Sequence, residues 1–236
     1  MLFLIASFLF ICNQMNPFCK RKKKGAAKPF PIRTIEDLKN NVNILFIDDI
    51  QFKTVDALKE KDGWRNIQKV RDIDSINQKE LAEAHIIFVD VQGVGKKLSF
   101  ADEGLGLILA IKEHYPEKKV VMYSAESNGK VDAFHPAANI VDGRLRKTAS
   151  RYEFETTIER LSQDAFCLDN CAKHVKEVLK RELGIDKSED EVKTIIMRIY
   201  GNENNPTAES IKKEFGLSEI GSIASIIQLL LLPIGV

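Results

Sequence analysis

The chain predicts an α/β domain, a doubly wound five-stranded parallel sheet, followed by an all-helical C-terminal region. Three observations carry that expectation. Between Asn43 and Leu161, short apolar runs of strand length alternate with segments of helical period. The runs are apolar at consecutive positions, as in "ILFI" and "IIFV", which suits strands covered on both faces. The stretches between them are long enough for crossover helices, so parallel pairing is the simplest arrangement.

Taken in order, the first strand is expected at Ile44–Ile47 and the first crossover helix over "QFKTVDALKEK". A second strand at Ile67–Ile73 leads to "NQKELAEA", and a third at His85–Val89 leads to "EGLGLILAIKEHY". The fourth, Lys119–Tyr123, precedes a weaker helical stretch near "SNGKVDAFHP". The fifth, Asn139–Leu145, runs into a helix at "SRYEFETTIERL".

In open parallel sheets functional groups gather at the carboxyl ends of the strands. Here the first strand ends in Asp48 and Asp49, the third in Asp90, the fourth in Ser124 and the fifth in Lys147. Two adjacent carboxylates at the end of a buried strand are costly without a cation or partner. Oxygen-only ligands suit Mg²⁺. A carboxylate beside such an ion can attack phosphorus, and a lysine and a hydroxyl can then hold the phosphoryl oxygens.

The order Asp-Asp, Asp, Ser, Lys, with steps of 41, 34 and 23 residues from Asp49 through Asp90 and Ser124 to Lys147, resembles the receiver domain of two-component response regulators. The resemblance covers residues 42–163 and implies a flavodoxin-like, CheY-like fold. It also implies Asp90 as phosphoacceptor, with Ser124 and Lys147 contacting the phosphoryl group. Mg²⁺ would be held by Asp48, Asp49, Asp90 and the backbone carbonyl of Gln92. The implied donor is a histidine kinase or a phosphotransfer protein, and no enzymatic activity is expected beyond self-phosphorylation and autodephosphorylation. Three departures stand out. Thr148 follows the lysine where receivers usually carry proline, the strand-five aromatic is missing near Leu145, and the loop "VQGVGKKLSFADEG" after Asp90 is long. Its "GVGKK" is no phosphate loop, because the glycine that motif needs upstream is Asp90. Two alternatives stay open: an unphosphorylated pseudo-receiver scaffold, and a Mg²⁺-dependent phosphotransferase or hydrolase. "DDIQF" lacks the D-x-D-x-T pattern expected of the latter.

Charge and hydropathy divide the rest. Lys+Arg number 35 against 34 Asp+Glu, but six of the positive charges fall between Lys20 and Lys28 without an acid among them. Before them "MLFLIASFLFIC" is apolar at all but one of its 12 positions. Residues 1–24 are expected to anchor the protein in a membrane, with the basic flank and all that follows on the cytoplasmic side. Residues 25–41 read as a linker, because the prolines of "KPFPIR" discourage helix. Residues 164–236 are expected to be a helical output or interaction region. Ile158, Leu161, Ala165, Leu168, Ala172, Val175 and Leu179 recur at three- and four-residue steps, a heptad seam that would support a homodimer through 158–179. "PTAESIKKEFGLSEIGSIASIIQ" outlines a helix-turn-helix, yet residues 166–236 hold 11 acids and 9 bases, so no nucleic acid partner is expected. Cys167, Cys171 and His174 share a helical face but lack an evident fourth ligand for zinc.

Overall fold

The structure is a computed structural model that describes residues 30, 32–50, 53–125, 135–202 and 207–217. The N-terminal anchor expected at 1–24 and the second helix of the helix-turn-helix outline, beyond Leu217, lie outside the described residues. Among the described residues no helix is long and apolar enough to cross a membrane.

Five strands form one sheet: β1 (Ile44–Ile47), β2 (Ile67–Val70), β3 (Ile86–Asp90), β4 (Lys119–Ser124) and β5 (Gly143–Arg146). Their order is β2-β1-β3-β4-β5 and every pairing is parallel. This is the flavodoxin-like order, in which the chain reverses direction across the sheet between β1 and β3. The crossovers carry α2 (Lys53–Glu60), α3 (Lys79–Glu83), α4 (Glu103–His114) and α5 (Pro136–Ile140), and α6 (Arg151–Ala165) follows β5.

The central strands are buried at every position, and their side chains alternate between two apolar layers. Ile44, Phe46, Ile86, Phe88, Val121 and Tyr123 face the layer shared with α2 and α6. Leu45, Ile47, Ile87, Val89, Val120 and Met122 face the layer shared with α3, α4 and α5. Register does the remaining work. Ile47 lies opposite Val89 and Asp90 opposite Tyr123, so Asp48 emerges level with Asp90 at the sheet's rim.

Three expectations need correction. The linker 25–41 is not extended throughout: α1 (Ile35–Asn41) is a helix started by a reciprocal capping box between Thr34 and Asp37, and its Leu38 is fully buried. The fifth strand does not begin at Asn139. Asn139 and Ile140 close α5, whose Pro136 suits the first helical turn and whose N-cap His135 accepts the Ala137 N–H.

The third correction concerns the heptad seam, which does not run along one helix. Phe166 and Cys167 separate α6 from α7 (Leu168–Leu183), which ends at the left-handed Gly184. Ile158, Leu161, Ala165, Ala172, Val175 and Leu179 are all buried within this chain. The seam is an internal packing face, not a dimer surface. Its residues join one apolar cluster with Leu38, Val42 and Trp64 and with Val192, Ile196 and Ile199 of α8 (Glu189–Asn202) and Ile211 and Phe215 of α9 (Ala208–Phe215).

Polar contacts tie α7 to the opposite end of the sheet from the acids. Lys118, just before β4, donates to the carbonyls of Ala82 and Ala84 at 2.6 and 2.7 Å. Asn170 donates to the Glu117 carbonyl at 3.4 Å, and Arg181 lies 3.7 Å from the Glu117 carboxylate. Burial, with the nearby Lys118 charge, pushes His85 down to about 3, so it is neutral and its Nδ1 accepts the Asn43 N–H.

Leu179→Ala in the full chain should lower stability by about 2–5 kcal/mol, the usual cost of emptying a buried leucine site. The expected result is a lower urea midpoint with an unchanged mass by light scattering. A shift in mass instead would return the seam to the role of an interface.

Candidate functional site

The sheet's carboxyl rim gathers Asp48, Asp49, Asp90, Ser124 and Lys147. Asp48 and Asp90 are the buried pair, 8% and 3% exposed, whereas Asp49 is exposed. Lys147 bridges the buried pair: its Nζ lies 3.0 Å from Asp48 Oδ1 and 2.5 Å from Asp90 Oδ2. Its backbone N–H donates to the Ser124 carbonyl at 2.7 Å, which extends the β4–β5 ladder by one step and aims the side chain back across β4.

Each carboxylate has a different task. Asp48 is committed inward. Its Oδ1 accepts the Ile50 N–H at 3.0 Å as well as Lys147, and its Oδ2 accepts the Tyr123 hydroxyl at 2.8 Å. Asp90 keeps one oxygen on Lys147 while the other accepts a long bond, 3.4 Å, from the N–H of Gln92. Asp49 faces a cleft lined also by Ile50, Lys69, Val70 and Arg71. One carboxylate oxygen from each of the three acids falls within 4.8 Å of the others. Hard oxygen donors so grouped fit Mg²⁺, which needs several such ligands and keeps water at its open positions.

Electrostatics match this geometry. Burial raises the Asp90 pKa above its ordinary 3.8, opposed by the hydrogen bond and charge of Lys147 and reinforced by Asp48. Burial alone would lower Lys147, but its bonds and charges with Asp90 and Asp48 prevail and raise it above 10.5. Burial, followed by the Asp48 charge and hydrogen bond, drives Tyr123 upward, so its hydroxyl stays protonated and donates.

Strand order β2-β1-β3-β4-β5 places these acids at the β1/β3 switch point, with a lysine one residue past β5. The fold is that of a receiver domain. All six sequence-predicted residues lie on its rim, with Ser124 buried at the end of β4 and Gln92 exposed two residues past Asp90.

Among solved structures, a response regulator from Thermotoga maritima is 21% identical, covers 52% of this chain and 98% of its own, and has a TM-score of 0.39. The BeF3-activated DrrB receiver domain is 18% identical, covers 51% and 97%, and scores 0.42. RcsB from Salmonella enterica serovar Typhimurium, solved bound to promoter rprA with phosphomimetic BeF3⁻, is 16% identical, covers 78% and 97%, and scores 0.42. No protein-family profile and no curated protein matches the chain. The flavodoxin-like fold is read from the strand order itself, not from these scores.

Three supporting residues escaped the sequence reading. Tyr123 reaches Asp48 only because register sets β4 beside β3. Gly104 must be glycine, since a Cβ there would sit 1.8 Å from the Asp90 carbonyl oxygen. Gly93 lies in the left-handed region at φ +87°, and a Cβ on it would sit 2.3 Å from an Asp49 oxygen. Glycines inside the long loop after Asp90 were the available signal for the last two.

The raised Asp90 pKa sets a sign for pH dependence. A carboxyl that binds its proton more tightly folded than unfolded stabilises the fold at low pH, and that contribution is lost as pH rises through its folded pKa. In chelator, the urea midpoint should therefore carry an Asp90-dependent decline as pH rises from about 4. Asp90→Asn should remove that component, measured between pH 4 and 7 in both proteins. Parallel curves would contradict it.

Proposed function

We propose that the chain is a phosphoacceptor receiver of a two-component-type relay, phosphorylated on Asp90. The observation that supports this best is Lys147 held between Asp48 and Asp90 while Asp49 stays open to solvent. A carboxylate oxygen of Asp90 attacks the phosphorus of a phosphohistidine on a kinase or phosphotransfer protein. The P–O bond forms as the P–N bond breaks, and the released imidazole recovers a proton from solvent. Asp48, Asp49, Asp90 and the Gln92 carbonyl would hold Mg²⁺, which would supply positive charge to the phosphoryl oxygens. Lys147 is already charged within 2.5 Å of Asp90 and can move from carboxylate to phosphoryl oxygen without a proton transfer. Ser124, at the end of β4, offers a hydroxyl from the neighbouring strand.

Acetyl phosphate with Mg²⁺ should label the protein on one site, and EDTA should prevent it. Asp90→Asn should abolish the label. Lys147→Ala should keep metal binding while slowing labelling. Mg²⁺ binding without labelling of the wild-type protein would favour the pseudo-receiver scaffold. Metal-dependent turnover of a phosphorylated substrate without a stable aspartyl phosphate would favour the phosphotransferase or hydrolase.

Signalling would pass by protein contact at a membrane surface. The support is the apolar segment of residues 1–24 with its basic flank, oriented by the positive-inside rule. Expectation of no nucleic acid partner rests on charge alone, and the RcsB structure on promoter DNA lends it no support. Residues 1–24 fused to a reporter should bring it to membranes with the reporter cytoplasmic. A reporter released by mild salt would mean surface adsorption in place of a span.

A further inference from the structure

We propose that Glu103 is a positioning residue for the metal-binding carboxylate of Asp49, acting through the backbone of Gly93. The inference rests on the receiver reading above and names a residue that the Asp-Asp, Asp, Ser, Lys pattern does not contain.

Glu103 opens α4, and its Oε2 accepts the Gly93 N–H at 2.5 Å while its Oε1 lies 3.4 Å from Lys96 Nζ. The Gly93 bond, more than the Lys96 charge, lowers the Glu103 pKa, so the acceptor is ionised at neutral pH. Its own backbone is at φ +47°, a conformation that costs a non-glycine residue energy and persists only where its surroundings impose it. The next residue shows what imposes it. Gly104 donates to the Val91 carbonyl at 3.1 Å and packs its α-carbon against the Asp90 carbonyl. Glu103 is thus pinned by the strand that carries the phosphoacceptor, and it in turn holds Gly93.

Gly93 is where this hold reaches the metal. Its α-carbon faces the Asp49 carboxylate so closely that a Cβ would lie 2.3 to 2.6 Å from all three carboxylate atoms. Asp49 therefore rests on a wall of backbone. The wall is clipped on its far side by Asp72, which accepts the Gly95 N–H at 2.6 Å and the Lys97 N–H at 3.1 Å. An exposed aspartate has rotamer freedom to lose on binding an ion, and a fixed wall removes part of that loss beforehand. Metal affinity then depends on where Gly93 stands, and Glu103 decides that.

Mg²⁺ titration of the chelator-stripped full chain by calorimetry tests this, with thermal unfolding in EDTA as the folding control. Glu103→Ala should weaken Mg²⁺ binding by about three- to tenfold, a loss on the order of one hydrogen bond. Glu103→Gln keeps a carbonyl acceptor for Gly93 and drops the charge, so it should bind within about twofold of wild type. Gly93→Ala should weaken binding at least as much as Glu103→Ala, by pushing the Asp49 carboxylate aside. Equal weakening in the alanine and glutamine variants would overturn the proposal in favour of a bulk charge effect. Unchanged affinity with a lower unfolding temperature would reduce Glu103 to a helix-start stabiliser. A wild-type protein that binds no Mg²⁺ would remove the receiver reading and this inference together, whereas failure of the Glu103 variants alone leaves that reading standing.

Discussion

Lys147 lets two carboxylates lie side by side under the rim of a buried sheet. Parallel register makes Asp48 and Asp90 neighbours, and both are almost wholly removed from water. Two such anions repel each other, and each has given up hydration. One ammonium within 3.0 Å of both compensates the pair, and its position is set by backbone, through the bond from its N–H to Ser124. Breaking a buried ion pair by removing one partner costs more than never building it, so the site depends on all three groups at once. The pair stays one positive charge short of neutrality, and Asp49 adds a third negative charge at the open edge. That surplus is what a divalent ion would answer.

Beneath the pair lies an aromatic layer that converts this electrostatic constraint into a packing one. Phe46 and Phe88 stack at 4.3 Å with nearly parallel rings, and Tyr123 meets both edge-on. Phe154 of α6 completes the set against Phe88 and Tyr123. Tyr123 belongs to both systems, with its ring in the apolar cluster and its hydroxyl on Asp48. A buried hydroxyl left without that acceptor would be costly, so the ring cannot shift without disturbing the acid. The strand-five aromatic expected of receivers is absent near Leu145, and this β4 tyrosine, on a neighbouring strand, is the ring that touches the site.

What was legible in the sequence follows from how local each signal is. β1, β3 and β4 are apolar at nearly every position because both faces are covered, and they were found within a residue or two. Asp48, Asp49, Asp90 and Ser124 were legible for the same reason, since a polar group ending such a run stands out. β5 was not, because "GRLR" at the sheet edge is half exposed, and Pro136 conceals a short helix just before it. The break between α6 and α7 was also hidden. Apolar spacing continues straight through Phe166 and Cys167, so periodicity alone joins two helices that the chain bends apart. Tyr123, Gly93 and Glu103 act through contacts fixed by register and loop path, and no spacing in the sequence encodes those.

The same bend brings the described helices of the C-terminal region, α7 to α9, into one apolar cluster with a face of the sheet. α6 carries Phe154 against the aromatic layer near its start, then Ile158, Leu161 and Ala165 along the same buried face. Past the bend, Cys171, Ala172 and Val175 of α7 continue that cluster toward α8 and α9. A close-packed interior transmits displacement because it holds few voids to absorb it. Continuity of packing does not by itself make a signal, since coupling is a difference in free energy between two arrangements. It does set where such a difference has to be stored. Any state of Asp90 that moves Tyr123 must repack Phe154, and α6 cannot move at that end without straining a core it shares with α1, α2, α7, α8 and α9.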